Sequence, residues 1–292
     1  CTGQVFLAAC VQLKEHSLLK DKQTNFSIFV AKHDSMNVYL DNAATTPVAP
    51  EVVEAMVPVL LQTFGNPSST HAFGRQAKAL LENARRSIAQ VLNCAPSELI
   101  FTSGGTEADN LVLRSAVKDL NINHIITSKI EHHAVLHTVE QLEKDYSIKV
   151  SYVNILDNGF IDYTHLEKLL KSSYSTLVSL MHINNEIGNI LDIQKVAILC
   201  KDNNALFHSD TVQSLGHYHI DVKKTPIDFL VASAHKFHGP KGVGFTFIRK
   251  NSGLKSLITG GTQERGIRAG TESIHDIVGL DEALNLSYQN LE

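Results

Sequence analysis

A lysine at the mouth of an apolar strand can do chemistry that a solvated lysine cannot. Lys236 lies in the run Ser233-Ala234-His235-Lys236-Phe237-His238-Gly239-Pro240-Lys241-Gly242, directly after the apolar stretch Ile227-Asp228-Phe229-Leu230-Val231-Ala232. Desolvation lowers a lysine's pKa, and the free amine can form a Schiff base with a carbonyl. The plain alternative is an exposed lysine at a strand end. Five further groups bear on the choice. Gly104-Gly105-Thr106 falls between a strand and a helix, where small residues let backbone N–H groups approach a phosphate; it also reads as a glycine-rich turn with a threonine N-cap. His132 offers a ring that could stack on a planar cofactor, or a surface histidine. His133 and His137, at i and i+4, would suit a metal pair, but no third ligand is signalled. Asn184-Asn185 is either turn chemistry or a polar pair at the edge of a sheet. Asp210, with Gln213 three residues on, could hold a pyridine nitrogen protonated or simply cap a helix.

The elements that must position these residues alternate. Apolar spacing predicts helices over 51–64, 76–92, 107–118, 134–146, 162–170 and 193–203. Strands are predicted over 38–40, 98–101, 124–127, 149–153, 176–181, 206–208, 228–232 and 243–248. Alternation with near-continuous apolar strands implies an α/β fold whose mostly parallel sheet is covered on both faces. Ligands of such sheets bind outside the carboxyl ends of the strands. Each candidate follows one of the strands, and together a lysine, a ring acid, a stacking ring and a phosphate cradle describe a site for pyridoxal 5'-phosphate. Gly239-Pro240-Lys241-Gly242-Val243-Gly244 does not open a helix, so a dinucleotide loop is rejected in favour of a tight turn behind Lys236.

Composition narrows the remaining classes. The 292 residues are 43% hydrophobic and 19% charged, ordinary for one or two globular domains. A net charge of −4 suggests no nucleic-acid partner and no anionic membrane surface. No apolar run reaches the roughly 18 residues needed to span a bilayer. Cys1, Cys10, Cys94 and Cys200 fit neither a zinc motif nor CxxC, which suggests free thiols in a reducing compartment. Cys94 and Cys200 read as structural. Residues 1–35 look like an atypical extension, disordered or non-native, with a targeting leader as the rival reading. Residues 281–286 read as a helix in mid-course.

The chain resembles the cysteine desulfurases, the NifS/IscS-like branch of the class V aminotransferase superfamily. The resemblance runs from about Val38 to the end. It rests on Tyr39-Leu40-Asp41-Asn42-Ala43-Ala44-Thr45-Thr46-Pro47, Gly65-Asn66-Pro67-Ser68-Ser69, Thr102-Ser103-Gly104-Gly105-Thr106-Glu107-Ala108-Asp109-Asn110 and Glu131-His132. His182-Ile183-Asn184-Asn185-Glu186-Ile187-Gly188, His208-Ser209-Asp210-Thr211-Val212-Gln213, Ser233-Ala234-His235-Lys236 and the segment from Gly260 to Thr271 continue it.

It implies fold type I of the pyridoxal-phosphate transferases, with a mixed, mostly parallel seven-stranded sheet. Residues 36–50 would be the N-terminal arm of a small domain. Residues 51–292 would be the large domain and the start of a connecting helix, with the C-terminal small domain missing. Lys236 would be the Schiff-base lysine, His132 the stacking ring, Asp210 the partner of the ring nitrogen and Gln213 the donor to the ring hydroxyl. Asn185 would lie near that hydroxyl and the substrate carboxylate. Gly105, in the phosphate cradle, would stand beside Thr106, Ser233 and His235 as phosphate ligands. Thr271 would reach the phosphate of a neighbouring subunit, which implies a homodimer. The substrate would be L-cysteine, the product L-alanine and an enzyme persulfide. A sulfur-acceptor or scaffold protein would be the partner, in iron–sulfur cluster assembly or tRNA thiolation, and the setting cytoplasmic, or mitochondrial in a eukaryote. The family's catalytic cysteine belongs beyond Thr271, and no cysteine here stands in its context, so the resemblance implies a C-terminally truncated chain that is poorly active by itself. A selenocysteine lyase, a small aminotransferase, or a non-catalytic paralogue that pairs with a full-length partner are the alternatives.

Overall fold

The computed structural model describes residues 38–289 and 291. Two units are distinguished, 1–39 and 40–292. All but Val38 and Tyr39 of the first lie outside the described residues, and with them the expectation for 1–35. The second unit carries seven helices of eight residues or more among its described residues, α1 (Pro50–Gln62), α2 (Ala72–Leu92), α3 (Gly105–Asp119), α4 (His133–Tyr146), α5 (Tyr163–Leu170), α6 (Ile193–Asp202) and α7 (Ile274–Gln289). Its strands are β1 (Leu99–Thr102), β2 (His124–Thr127), β3 (Lys149–Tyr152), β4 (Thr176–Ser179), β5 (Leu206–Asp210), β6 (Phe229–Ser233) and β7 (Gly244–Ile248).

The strands form one sheet in the order β1-β7-β6-β5-β4-β2-β3. The neighbours from β3 to β6 are parallel; helices lie in the connections between β2 and β5, while β5 reaches β6 through the turns of residues 211–228. β7 runs antiparallel to both β6 and β1. The reason is the short connection: a 3-10 turn at Ala234–Lys236 and the glycines Gly239 and Gly242 reverse the chain where a parallel partner would need a longer crossover. The expected α/β architecture with a mixed, mostly parallel sheet is therefore observed.

Residues along the strands alternate between two apolar layers, as pleating requires. Leu99, Phe101, Ile126, Val178, Phe207 and Leu230 belong to one, which α2 and α7 cover. Ile100, Ile125, Leu177 and Phe229 belong to the other, against α3 and α4. Every residue of β1, β2, β4, β6 and β7 is buried, which explains why their sequences read as unbroken apolar runs. β3, at the sheet edge, is only partly covered.

One predicted strand is absent. Residues 38–40 are irregular and open to solvent, with Leu40 86% exposed, and no described strand pairs with them. Their β-prone types did not suffice without a ladder partner. No described helix is long and apolar enough to cross a membrane.

Candidate active site

The carboxyl ends of β1, β2, β4, β5 and β6 open on one cavity of about 460 Å³, a size suited to a small organic ligand. At the end of β1 the chain turns through Gly104, whose φ of +150° favours glycine, and α3 starts at Gly105. A Cβ on Gly105 would stand 2.7 Å from Val212 Cγ2, so only glycine lets the α3 N-terminus come this close to β5's connection. The backbone there presents its free N–H groups beside Thr106 and Ser233. Glu107 receives the Ser103 N–H at 2.8 Å and pairs with Arg268 at 2.8 Å, fixing the turn.

His132 ends the connection after β2. Its Nδ1 accepts the Ala134 N–H at 3.1 Å, capping α4 and fixing the ring at the cavity wall. Just before it, buried Glu131 accepts Ser128 Oγ–H at 2.7 Å and the Met181 N–H at 2.8 Å. After β4, Asn184 Oδ1 receives the N–H groups of Glu186 and Ile187 while its Nδ2 donates to Ile130 O. That closed turn presents Asn185 to the cavity, where its Nδ2 donates to Glu186. Asp210 ends β5, 5% exposed, and accepts the Val212 N–H at 2.9 Å.

Lys236 stands in the turn after β6, half-buried. Its Nζ donates to the carbonyls of Ala43 and Ala44, the latter at 3.0 Å. Gln213 Nε2 donates to the same Ala43 carbonyl at 2.9 Å. The segment 41–46 thus crosses the cavity as a strap, pinned further by Thr46 on His235 O and by His235 Nδ1 against Thr45 Oγ1.

The electrostatics follow from burial. Asp210's carboxyl is pushed up to about 7, first by desolvation and then by the neighbouring Asp109 carboxyl, against the pull of the Val212 N–H and of His208 and His132. The Lys236 amine is pulled below its ordinary value by desolvation, with Asp210 and Asp41 opposing. A partly desolvated lysine and a buried acid with one backbone hydrogen bond therefore face one cavity.

Of the sequence candidates, Gly105, Thr106, His132, Asn185, Asp210, Gln213, Ser233, His235 and Lys236 all line this cavity. Thr271 does not; it lies in a separate cleft with Glu264, Arg268 and Gly242. Sequence reasoning missed Asp41, Ala43 and Ala44 of the strap, and Asp109, which lies one helical turn after Gly105 on the same face. That i, i+4 spacing is the signal that could have found Asp109. His133 and His137 stack with centroids 4.9 Å apart, and among the described residues no group of three or more His, Cys, Asp or Glu is placed to hold a metal ion. Cys94 and Cys200 line no part of the cavity; burial pushes the first to about 12 and the second higher still. Cys1 and Cys10 lie outside the described residues.

This architecture, with its lysine after the last parallel strand, has known relatives. The model of the class V aminotransferase family matches residues 38–292, and the chain belongs to that family. Within it, the chain is 45% identical over 257 residues to the cysteine desulfurase IscS of Dictyoglomus turgidum, covering 87% of this chain and 65% of that protein. It is similar in structure to a NifS-like protein, at TM-score 0.83 and 42% identity, over 87% of this chain and 70% of that one. It is also similar to SspA in complex with cysteine, at TM-score 0.80 and 39% identity, over 85% and 72%. The chain spans about two thirds of the length of the curated relatives it matches.

Proposed function

We propose that this chain holds pyridoxal 5'-phosphate in a cysteine desulfurase. The observation that carries the reading is the opposition of Lys236, its amine partly desolvated, to Asp210, a buried acid with one backbone partner, across a cavity of about 460 Å³. The residues fit the group. The Gly105 N-terminus, Thr106, Ser233 and His235 form an anion cradle, which closes only because a glycine at 105 avoids the 2.7 Å clash a Cβ would make with Val212 Cγ2. Lys236 would supply the amine for the aldehyde, Asp210 the acid for the ring nitrogen, and His132 an aromatic ring for the cofactor. Gln213 and Asn185 serve the ring hydroxyl and the substrate carboxylate. Bound there, the cofactor supplies an electron sink for charge developing on an amino-acid substrate. Thr271, outside this cavity, would serve the same site on a second copy, as a homodimer requires.

The substrate is L-cysteine, as in the relatives' names, and sulfur leaves to a thiolate. Cys94 and Cys200 resist ionisation and stand outside the cavity, so the described residues supply the cofactor half of the chemistry rather than the sulfur-accepting half. That observation also supports a second reading, a cofactor-binding module that pairs with a longer partner. Residues 51–292 act as the large domain and 36–50 as an arm of a small one. The acceptor is a protein of iron–sulfur cluster assembly or tRNA thiolation, and the setting is the cytoplasm. The test is addition of L-cysteine, L-selenocysteine or keto acids to the 292-residue chain loaded with cofactor. L-Cysteine is expected to perturb the visible band, with persulfide release far below that of a full-length relative. An unmoved band with cysteine, or amination of keto acids in its place, would contradict the desulfurase reading.

The pH dependence has a defined sign. With no cation beside it, ionising Asp210 costs folding stability as pH rises from the ordinary carboxylate range to about 7. A cationic ring nitrogen beside it reverses that cost, and Lys236 also loses its proton as pH rises. Affinity for pyridoxal phosphate is therefore expected to strengthen from pH 6 to 8, by up to about tenfold per unit below the Asp210 midpoint. Equilibrium dialysis across this range checks it; affinity that falls with rising pH would contradict the assignment of Asp210.

A further inference from the structure

Beneath the cavity lies a line of buried polar groups that the proposed chemistry does not use. Asp109 on α3 is 1% exposed, and His208 on β5 is wholly buried. Asp109 Oδ1 and His208 Nε2 are each buried without a hydrogen bond, yet they face one another at 3.4 Å. On its other side, His208 Nδ1 meets Ser179 Oγ of β4 at 2.9 Å. His208 and Asp210 are two residues apart on β5, so their side chains share one face of the sheet.

Two orphaned atoms 3.4 Å apart have one economical arrangement. A proton on Asp109 is donated to His208 Nε2, and the Nδ1–H of the neutral imidazole is donated to Ser179. Both orphans are then satisfied and the line carries no net charge. The opposite arrangement, an imidazolium beside a carboxylate, would bury two charges, which costs several kcal/mol per ion unless further bonds compensate. No such bond reaches Asp109 Oδ1 or His208 Nε2. Burial also pushes the Asp109 carboxyl well above its ordinary range and pulls His208 down to about 4.

We propose that Asp109 is held protonated against His208: as the uncharged end of the Asp109–His208–Ser179 line, it leaves Asp210 the single carboxylate beneath the cavity. The inference rests on the reading of Asp210 as the ring-nitrogen acid. The titratable groups facing the line are Asp210 from β5 and Glu131 from the connection after β2, while His132 and Lys236 face Asp210 in turn. Glu131 is held up to about 8 by burial, and its two hydrogen bonds come from Ser128 and Met181, so it does not compete for the cofactor. Asp210 differs from Asp109 in accepting a backbone N–H, which makes it the one of the pair to ionise.

Asp109→Asn is the direct test, because the amide keeps the shape, still donates to His208 and can never ionise. The variant is expected to hold pyridoxal phosphate within about threefold of wild type at pH 8. Asp109 must ionise at high pH in the wild type, and its raised folded pKa means that stability is lost as pH rises through it; Asp109→Asn should lessen that alkaline loss. A folded Asp109→Asn that binds the cofactor more than tenfold more weakly, or that keeps the wild-type alkaline slope, would overturn the proposal. Carboxyl carbon NMR of the cofactor-free wild type, labelled at aspartate, decides the point independently of that variant's folding. At least one buried aspartate is expected to stay protonated at pH 8, and none protonated would overturn it. Because this measurement needs no cofactor, a wild type that binds none would count against the cofactor reading and leave the NMR outcome to judge Asp109.

Discussion

Lys236→Ala, incubated with pyridoxal phosphate, is expected to lack the visible absorbance that the wild-type chain acquires. Lys241→Ala should keep it. The two lysines are five residues apart, and both sit near the α3 N-terminus, but only Lys236 lines the cavity that Asp210 and His132 share. Lys236 is also the one whose amine is partly desolvated, which is the condition for a nucleophilic amine near neutral pH. Its present partners, the Ala43 and Ala44 carbonyls, are neutral acceptors that hold the amine in the cavity without forming an ion pair that would keep it charged. Condensation with an aldehyde must exchange these bonds. The loss in Lys236→Ala should be complete, because no other lysine among the described residues lines this cavity. Equal loss in both variants would contradict the assignment.

Glu264→Ala is expected to destabilise the folded chain by about 3–5 kcal/mol in chemical denaturation, a large part of the stability of a typical domain. Glu264 makes a two-pronged pair with Arg85, at 2.6 and 2.8 Å, with side chains 1% and 2% exposed. It also accepts the Phe101 N–H at 2.7 Å, while Arg85 donates to Leu99 O and lies 4.6 Å above the Phe101 ring. Removing the carboxylate leaves a buried guanidinium with its main counter-charge gone. The structure holds Glu264 at a φ of +44°, a conformation unfavourable for a residue with a side chain, so the pair is strong enough to impose it. Because Leu99 and Phe101 belong to β1, the clamp ties the 254–272 segment to the strand that ends at the phosphate cradle. Replacing both partners, as Arg85→Met with Glu264→Leu, should restore much of the loss. A cost under about 1 kcal/mol for Glu264→Ala would mean that water reaches the guanidinium after all.

Much of the fold was legible because fully buried strands write themselves as unbroken apolar runs. The predicted strand 124–127 coincides with β2, and six of the others overlap their strands to within two residues at either end. The site was legible for a related reason: in a sheet of this kind, polar residues that follow strands must gather at one edge, and nine of the ten candidates do. Long-range contacts were not legible. The strap over Lys236 joins residues 193 apart in sequence, and the Arg85–Glu264 clamp joins residues 179 apart. No local pattern encodes such pairs. Asp109 was hidden because an aspartate on a helix is ordinarily solvated, and only the fold shows it buried against β5. Helix α2 begins at Ala72, ahead of the predicted 76, because His71 caps it through the Gly74 N–H, a bond that histidine rarely signals in sequence. The segment at 38–40 failed in the opposite sense, since strand-prone residues form no strand where no ladder is offered.

The most direct test of the cofactor assignment is borohydride reduction of the chain loaded with pyridoxal phosphate, followed by peptide mass mapping. The phosphopyridoxyl mass should appear on the peptide carrying Lys236, at close to one per chain, with Lys241 unmodified. Label on Lys241, or scattered over surface lysines with Lys236 bare, would show that the cavity beside Asp210 does not hold the cofactor.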